Sequence, residues 1–191
     1  MRCLMCEKFS LKHICRTCQK NYLTPSLYKR HLQDGTLLIS FYKYEDIKEF
    51  LFTKHTDIGF HIYSIMAKKS FQKFAKEFFP QEQYLSIAID DIVSDDYSHT
   101  AILNRHLHSH YIKQKYSIIR AKNRVSYSGK SREFRLKNPR NFHIKPFKER
   151  EVIVVDDIVT TGSTLLEAIQ TLKDQGKDTL FCLTLCDVSN R

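Results

Sequence analysis

The sequence predicts an α/β fold, in which helices connect the strands of a parallel sheet, preceded by a small metal-binding module. From residue 36 onward, short apolar runs alternate with segments of helical periodicity, which favours a parallel sheet. One such run, residues 152–155, is β-branched and fully apolar, as in a strand buried on both faces. Four of the six cysteines lie within the first 18 residues. A segment this short buries little core and is ordered mainly by a metal.

The order of the elements follows from the same periodicity. The predicted elements are a strand over residues 36–41, helices within 46–79, a strand over 85–89, a short helix over 98–108, a strand over 116–120, a basic loop, a strand over 152–155, a helix that stops at Gly176, and a strand over 179–185. The 191 residues allow one medium domain and a small appendage, so we expect a module over 1–25 and the α/β domain over 26–191. No apolar run is long enough to span a membrane.

The clustered cysteines form two Cys-x-x-Cys pairs, Cys3 with Cys6 and Cys15 with Cys18, separated by eight residues. Four thiolates on two tight turns are the usual ligands of a tetrahedral structural zinc site. Disulfide or redox chemistry is the alternative for such pairs. No signal peptide precedes the first pair, and a basic chain with this spacing fits the reducing cytosol. We therefore predict a zinc site in a cytoplasmic protein.

The segment after the strand at 152–155 carries the strongest functional signal. Asp156 and Asp157 stand at the carboxyl end of that strand, where open α/β sheets bind ligands. Five small or hydroxylated residues then lead into a helix: Thr160, Thr161, Gly162, Ser163 and Thr164. Such a turn offers backbone N–H groups, hydroxyls and the positive end of a helix dipole, which together bind phosphate. An ordinary connection with Thr161 or Ser163 as a helix cap would not explain the two acids and five such residues.

The two carboxylates must serve another part of the ligand, because they would repel a phosphate placed directly on them. Carboxylate oxygens accept hydrogen bonds from vicinal sugar hydroxyls, and they also bind a divalent metal that bridges ligand oxygens. A sugar that bears a phosphate meets both requirements. The segment therefore predicts a sugar-phosphate site.

At these positions the sequence resembles the phosphoribosyl-pyrophosphate (PRPP) signature of the phosphoribosyltransferase superfamily, in which apolar residues precede an Asp-Asp pair and a Thr-Thr-Gly-Ser/Thr turn. The resemblance implies a phosphoribosyltransferase-like, Rossmann-like fold and a PRPP ligand accompanied by magnesium. Position by position, it implies that Asp156 and Asp157 bind the ribose hydroxyls. By the same resemblance, Thr160 to Thr164 surround the 5′-phosphate.

Both ends of the chain together resemble the ComF family of competence-associated proteins. That family joins an N-terminal four-cysteine zinc finger to a phosphoribosyltransferase-like domain. Residues 41–54, an aromatic strand and helix with a lysine-containing turn, and residues 128–142 are also similar to the family. The resemblance implies handling of incoming single-stranded DNA in the cytosol during natural transformation. It further implies a ComF-type helicase and the DNA-uptake machinery at the inner membrane as partners.

Positive charge is concentrated in one part of the chain. The net charge is +10, and residues 101–150 hold fourteen Lys and Arg against two Glu, a net of +12, so the other 141 residues sum to −2. Basic residues interleaved with aromatic ones suit single-stranded nucleic acid. They also suit the phosphates of a smaller ligand, and a solvated loop is the third interpretation. The candidate nucleic-acid or phosphate contacts are Arg105, Lys122, Arg124, Lys130, Arg132, Arg135, Lys137 and Arg140.

One region departs from the family pattern. Where the family has a Val-Pro-Val-Pro-like strand and an Arg-Gly-Phe-Asn-Gln segment, this chain has residues 87–92 and 98–105, without those prolines, the glycine or the glutamine. In phosphoribosyltransferases this region binds pyrophosphate, which Asp90 and Asp91 would face unfavourably unless magnesium lay between them. We therefore expect PRPP binding without measurable transfer to common nucleobases. A true transferase and a module that senses PRPP without turnover are the alternatives.

Overall fold

The computed structural model describes residues 1–90, 97–123, 134 and 137–189, and it contains a seven-stranded sheet connected by helices. The strands are β1 (Tyr28–His31), β2 (Leu37–Lys43), β3 (Tyr84–Asp90), β4 (Ile112–Ala121), β5 (Phe142–Ile144), β6 (Glu151–Val159) and β7 (Asp178–Asp187). The helices are α1 (Arg16–Tyr22), α2 (Tyr44–Leu51), a 3₁₀ helix (Phe52–His55), α3 (Asp57–Lys69), α4 (Phe71–Glu77), α5 (His99–Arg105) and α6 (Ser163–Lys173).

The strands lie in the order β1-β2-β7-β6-β3-β4-β5. The five inner strands are parallel, and each edge strand runs antiparallel to its neighbour. The predicted α/β sheet of mostly parallel strands is therefore confirmed. The sequence does not predict β1 and β5, because these strands have only four and three residues and carry basic side chains such as Lys29 and His143. Short, charged strands are typical of sheet edges.

The predicted helical region at 46–79 is divided into shorter pieces. The 3₁₀ helix separates α2 from α3, and Ser70 separates α3 from α4. Thr56 starts α3 by accepting a hydrogen bond from the N–H of Gly59 (3.3 Å). The short helix predicted at 98–108 ends earlier, at Arg105. The turn between α2 and α3 is therefore a separate structural unit, with consequences for the site described below.

The order of the strands switches where β3 and β6 stop pairing, and we call this place the crevice. The two strands are adjacent and in register up to Ala88 and Val155, whereas β6 continues beside β7 as far as Val159 and Asp187. After β3 the chain continues to β4, toward one edge of the sheet. After β6 it continues to β7, toward the other edge. Such a switch in strand order is the usual ligand position in open α/β sheets.

The N-terminal residues pack against the body of the protein. Cys3, Ile14, Cys18 and Leu23 are buried in the same apolar cluster as residues of α2, α3 and α4. The division at residue 25 remains a prediction, and these contacts show that the two parts share a core. Among the described residues, no helix has the length and apolar character needed to cross a membrane.

Candidate functional site

The two predicted carboxylates lie in β6 at the crevice, and both are buried, with relative exposures of 8% for Asp156 and 9% for Asp157. Each side chain accepts a hydrogen bond from the next backbone N–H, Asp156 from Asp157 and Asp157 from Ile158, both at 2.8 Å. The ammonium of Lys54, in the 3₁₀ helix, lies 3.5 Å from Asp157 Oδ2. Among the described residues, Lys54 forms an ion pair with Asp157, and no ion pair of this kind is found for Asp156.

The electrostatic environment separates the two acids. Burial raises the pKa of Asp156 to about 8, and the charge of Asp157 adds to the shift, while Arg140 and Lys54 oppose it. Burial also opposes ionisation of Asp157, yet the charges of Lys54 and His99 and the N–H of Ile158 together hold the pKa of this carboxyl below its usual range. Near neutral pH the pair therefore offers both a carboxylate acceptor and a carboxyl donor. Such a pair can hydrogen-bond two hydroxyl groups.

A tyrosine and a histidine lie beside this pair. Tyr63 of α3 is fully buried, and its pKa is raised well above the usual range by burial and then by the charge of Asp157. The Tyr63 hydroxyl has no hydrogen-bond partner among the described residues. Its ring lies 5.5 Å from that of His99. The sequence gives no signal for these two contributors, because they stand on other elements and within apolar or helical patterns.

The Thr/Ser-rich turn follows β6 and begins α6. Gly162 has φ +82°, and a Cβ there would lie 2.8 Å from Leu32 Cδ2. Gly162 is the N-cap residue of α6 and has no side chain with which to cap the helix. Instead, Thr161 Oγ1 and Ser163 Oγ are hydrogen-bonded to each other at 2.5 Å. The N–H of Ser163, in the first turn of α6, also donates to Thr161 Oγ1 (3.4 Å), so part of this helix start is hydrogen-bonded within the turn.

Arg30 of the unpredicted strand β1 supports this turn from the side. Its Nε forms an ion pair with the buried Asp187 at the end of β7, and its Nη2 donates to the carbonyl of Thr160 (3.3 Å). Asp187 also accepts hydrogen bonds from the N–H and the hydroxyl of Ser189, at 2.9 and 2.7 Å. The start of the turn is thereby tied to β1 and β7. The sequence misses Arg30 because it misses the strand that carries it.

The candidate basic contacts fall into three groups. Arg140 is brought toward the crevice, since its charge acts on Asp156, and the backbone N–H groups of Arg140 and Asn141 donate to Glu167 of α6 (3.2 and 2.7 Å). Lys122 lies beside it in an open cleft against α6, and Lys137 is exposed.

Arg105 ends α5, which leads from the carboxyl end of β3 to the amino end of β4, so it lies away from the crevice. Four other candidates fall outside the described residues: Arg124, Lys130, Arg132 and Arg135.

The expectation that Asp90 faces the ligand is wrong. Its carboxylate accepts hydrogen bonds from the hydroxyls of Ser98 (2.8 Å) and Thr100 (3.3 Å) and from the N–H of Ser117 (3.0 Å). Ser117 has φ +57° and lies where the β3–β4 register shifts. Asp90 is therefore a buried structural acid that fixes α5 and an irregularity of β4. Asp91 falls outside the described residues.

The four N-terminal cysteines converge on one point. Their sulfur atoms all lie within 4.8 Å of one another, and all four are free thiols. The N–H of Cys15 donates to Cys3 Sγ (3.3 Å), and the N–H of Cys18 donates to Cys15 Sγ (3.4 Å). Such N–H···S bonds favour thiolates, and four sulfurs in one cluster suit a tetrahedral ion. The cluster can therefore hold a metal ion such as zinc.

Cys182 and Cys186 of β7 are fully buried in the core, as expected of packing residues. Burial is the main cause of a raised pKa for both thiols, so neither is poised for reaction or metal binding.

Comparisons with known proteins find similarity over parts of this chain. The family profile for the phosphoribosyl transferase domain matches residues 105–191. The chain is 40% identical over 48 residues to the transcriptional regulator GfcR of Halorubrum lacusprofundi, a match that covers 25% of this chain and 22% of the regulator. The chain therefore spans about a fifth of the length of that relative.

Solved structures with similarity include a hypoxanthine phosphoribosyltransferase from Staphylococcus aureus, at 16% identity and TM-score 0.41, over 68% of this chain and 65% of that one. An orotate phosphoribosyltransferase from Aeropyrum pernix has 16% identity and TM-score 0.39, over 90% of this chain and 80% of its own. The part of the chain that matches the phosphoribosyl transferase domain family, residues 105–191, includes Asp156, Asp157 and the turn from Thr160 to Thr164.

Proposed function

We propose that this protein binds PRPP, or a related phosphoribosyl ligand, in the crevice between β3 and β6. Asp156 and Asp157 take the two ribose hydroxyls, and Thr160 to Thr164 take the 5′-phosphate. The observation that carries this proposal is the position of two buried carboxylates at the switch in strand order, followed by a helix start whose N-cap residue is Gly162.

The protonation states of the carboxylates fit this role. With one carboxyl ionised and the other protonated, the pair can accept from one hydroxyl and donate to the next. Magnesium bound with the pyrophosphate would favour ionisation of both acids, because a nearby cation lowers a carboxyl pKa. Lys54 and Arg30 then act as supports, one for Asp157 and one for the turn at Thr160.

In this proposal the four-cysteine cluster holds a structural zinc ion. Cys3, Cys6, Cys15 and Cys18 supply four sulfur ligands, and the buried members Cys3 and Cys18 pack in the core shared with α3. Zinc would therefore order the N-terminal segment and complete the surface on which α3 packs.

In the cell we propose a ComF-like role, the handling of single-stranded DNA in the cytoplasm during natural transformation, with a helicase and the DNA-uptake machinery as partners. The sequence resemblance supports this role at the cysteines and at the Asp-Asp turn. Lys122, which is exposed in the cleft against α6, and the half-buried Arg140, whose charge acts on Asp156, add positive charge that suits a polyanion, and Lys137 is also exposed.

A second candidate is a module that senses PRPP without turnover. The relative GfcR is named a transcriptional regulator, and a regulator needs ligand binding and no reaction. A transferase that moves phosphoribose onto a base or amine is the enzymatic alternative. Pyrophosphate release that depends on an added acceptor separates the transferase from both binding proteins, since only transfer breaks the bond to pyrophosphate.

The test is a pair of titrations of the purified protein. Calorimetry with PRPP and magnesium should show binding at about one site. Labelled single-stranded DNA, titrated at two salt concentrations, should bind with an affinity that falls with salt at a log–log slope of about −0.7 per phosphate engaged. Replacing Arg132, Arg135 and Lys137 by Glu should lower both affinity and slope. Salt-independent DNA binding would contradict the DNA part alone, and absence of PRPP binding would contradict the central part.

A further inference from the structure

The hydroxyl of Tyr97 connects two segments that flank the crevice. It lies 2.6 Å from the carbonyl oxygen of Lys54 and 3.0 Å from that of Thr56, so one proton is shared between two acceptors. Both carbonyls belong to the turn between α2 and α3. Tyr97 itself lies just before α5, after the end of β3. This hydrogen bond therefore joins the connection from β3 to β4, which contains Tyr97, to the connection from β2 to β3, which contains Lys54 and Thr56.

The ring of Tyr97 is held from two sides. Its centroid is 5.8 Å from that of Phe60 and 5.8 Å from that of His99, with interplanar angles of 86° and 88°. Edge-to-face contacts of this kind stabilise a ring in one orientation. The contacts with Phe60 and His99 therefore help to orient the ring so that the hydroxyl faces the turn, independently of the hydrogen bond.

Gly59 allows the turn to come this close. A Cβ at this position would lie 2.1 Å from the carbonyl oxygen of Thr53 and 2.4 Å from the Tyr97 hydroxyl. Any side chain would therefore push the turn and the tyrosine apart. The turn and Tyr97 can be in contact only because residue 59 is a glycine.

The turn carries the lysine of the candidate site. The ammonium group of Lys54 lies 3.5 Å from the Asp157 carboxylate, and a fixed Lys54 backbone limits the positions that its flexible side chain can reach. Tyr97 binds the carbonyl of this same residue. Loss of the hydroxyl would release the backbone next to the ammonium group while leaving the ring contacts in place.

We infer that Tyr97 is a positioning residue for the phosphoribosyl site, whose hydroxyl holds the Lys54 turn so that the ammonium group stays beside Asp157. The inference rests on the proposed PRPP function and adds a residue that acts on the site through Lys54.

The experiment is a double-mutant cycle with PRPP and magnesium, measured by calorimetry. Tyr97→Phe should weaken binding about fivefold to tenfold, the effect of one hydrogen bond. Lys54→Met should weaken it more, and the double variant should bind as Lys54→Met does, because the hydroxyl acts through the ammonium group. Gly59→Ala should reproduce the loss and its dependence on Lys54. Tyr116→Phe, at a half-exposed tyrosine of β4, is the matched control and should bind as wild type does.

The outcomes separate the two proposals. Wild-type affinity in Tyr97→Phe, or losses that add in the double variant, would overturn the positioning role while the wild-type protein still binds PRPP. Failure of the wild-type protein to bind PRPP would overturn the proposed function itself. Zinc content and thermal unfolding of each variant show whether the fold is retained.

Discussion

The ammonium group of Lys54 lies 3.5 Å from the carboxylate of Asp157, which is 103 residues away in the sequence. This ion pair joins the turn between α2 and α3 to the central strand of the sheet. The two adjacent acids differ, because burial raises the pKa of Asp156, whereas the charge of Lys54 helps to hold the pKa of Asp157 below its usual range. The candidate site therefore depends on a segment outside the matched phosphoribosyl transferase region.

The first prediction concerns Asp156 and pH. In the folded protein burial raises the pKa of this carboxyl to about 8, whereas the unfolded value is about 3.9. Unfolding between these pH values releases a proton, so this group lowers stability increasingly as pH rises from about 4 to about 8. Asp156→Asn should therefore stabilise the ligand-free, magnesium-free protein, by about 1–3 kcal/mol more at pH 8 than at pH 5.

Urea unfolding at pH 5, 6.5 and 8 measures this difference. Asp178→Asn, at the exposed start of β7, provides the control for loss of a surface carboxylate and should change the pH dependence little. Equal pH dependence in wild type and Asp156→Asn would contradict the account of the buried acid.

A second prediction concerns the backbone of the Thr/Ser-rich turn. Gly162→Ala should abolish most PRPP affinity, because the residue has φ +82° and a Cβ would meet Leu32 at 2.8 Å. Gly35→Ala is a matched control, since Gly35 has φ +87° and open space around it. Both variants should lose about 1 kcal/mol of stability from the backbone conformation. Calorimetry should show a loss of ligand affinity in Gly162→Ala alone, and similar affinities in the two variants would argue against the turn as the phosphate site.

Arg30 provides a third prediction, on stability. Asp187 is fully buried, so Arg30→Leu should destabilise the protein by about 3 kcal/mol by leaving an uncompensated charge. Arg30→Leu combined with Asp187→Leu should be less destabilised than the single variant, because no charge is then left unpaired. Chemical denaturation measures both values. A double variant that is less stable than Arg30→Leu would show that the pair contributes mainly through packing.

The fourth prediction concerns zinc. Protein purified without chelator should contain about one zinc ion per chain, and replacement of Cys3 and Cys6 by Ser should release it. Because Cys3, Ile14 and Cys18 belong to the core shared with α3, loss of zinc should lower the unfolding temperature of the whole protein. Cys182→Ser should retain zinc, since this buried residue lies in β7. Disulfide bonds among the N-terminal cysteines, or absence of zinc by metal analysis, would contradict the prediction.

The sequence reveals those parts of the site that are contiguous. The acidic pair and the turn at 160–164 are readable because strand, acids and helix start follow one another within a few residues. Tyr63, His99 and Lys54 reach the same crevice from other elements, and no local pattern indicates that they do. Arg30 is hidden in the same way, because a four-residue basic edge strand has no apolar signature.

Asp90 shows the opposite error. Its position at the carboxyl end of β3 suggested contact with the ligand, but Ser98, Thr100 and Ser117 bind its carboxylate in the interior. Sequence position gave the correct edge of the sheet and the wrong direction of the side chain. The repulsion expected at pyrophosphate from Asp90 therefore does not follow from the structure, and turnover has to be measured directly.

The most direct test of the central claim is calorimetry of PRPP with magnesium against wild type and the Asp156→Ala, Asp157→Ala double variant. The account predicts about one site in wild type and at least a tenfold loss of affinity in the double variant, which corresponds to about 1.4 kcal/mol. Zinc content should be equal in both, because the cysteine cluster lies outside the crevice. Unchanged PRPP affinity in a folded, zinc-containing double variant would contradict the claim that these two carboxylates form the ligand site.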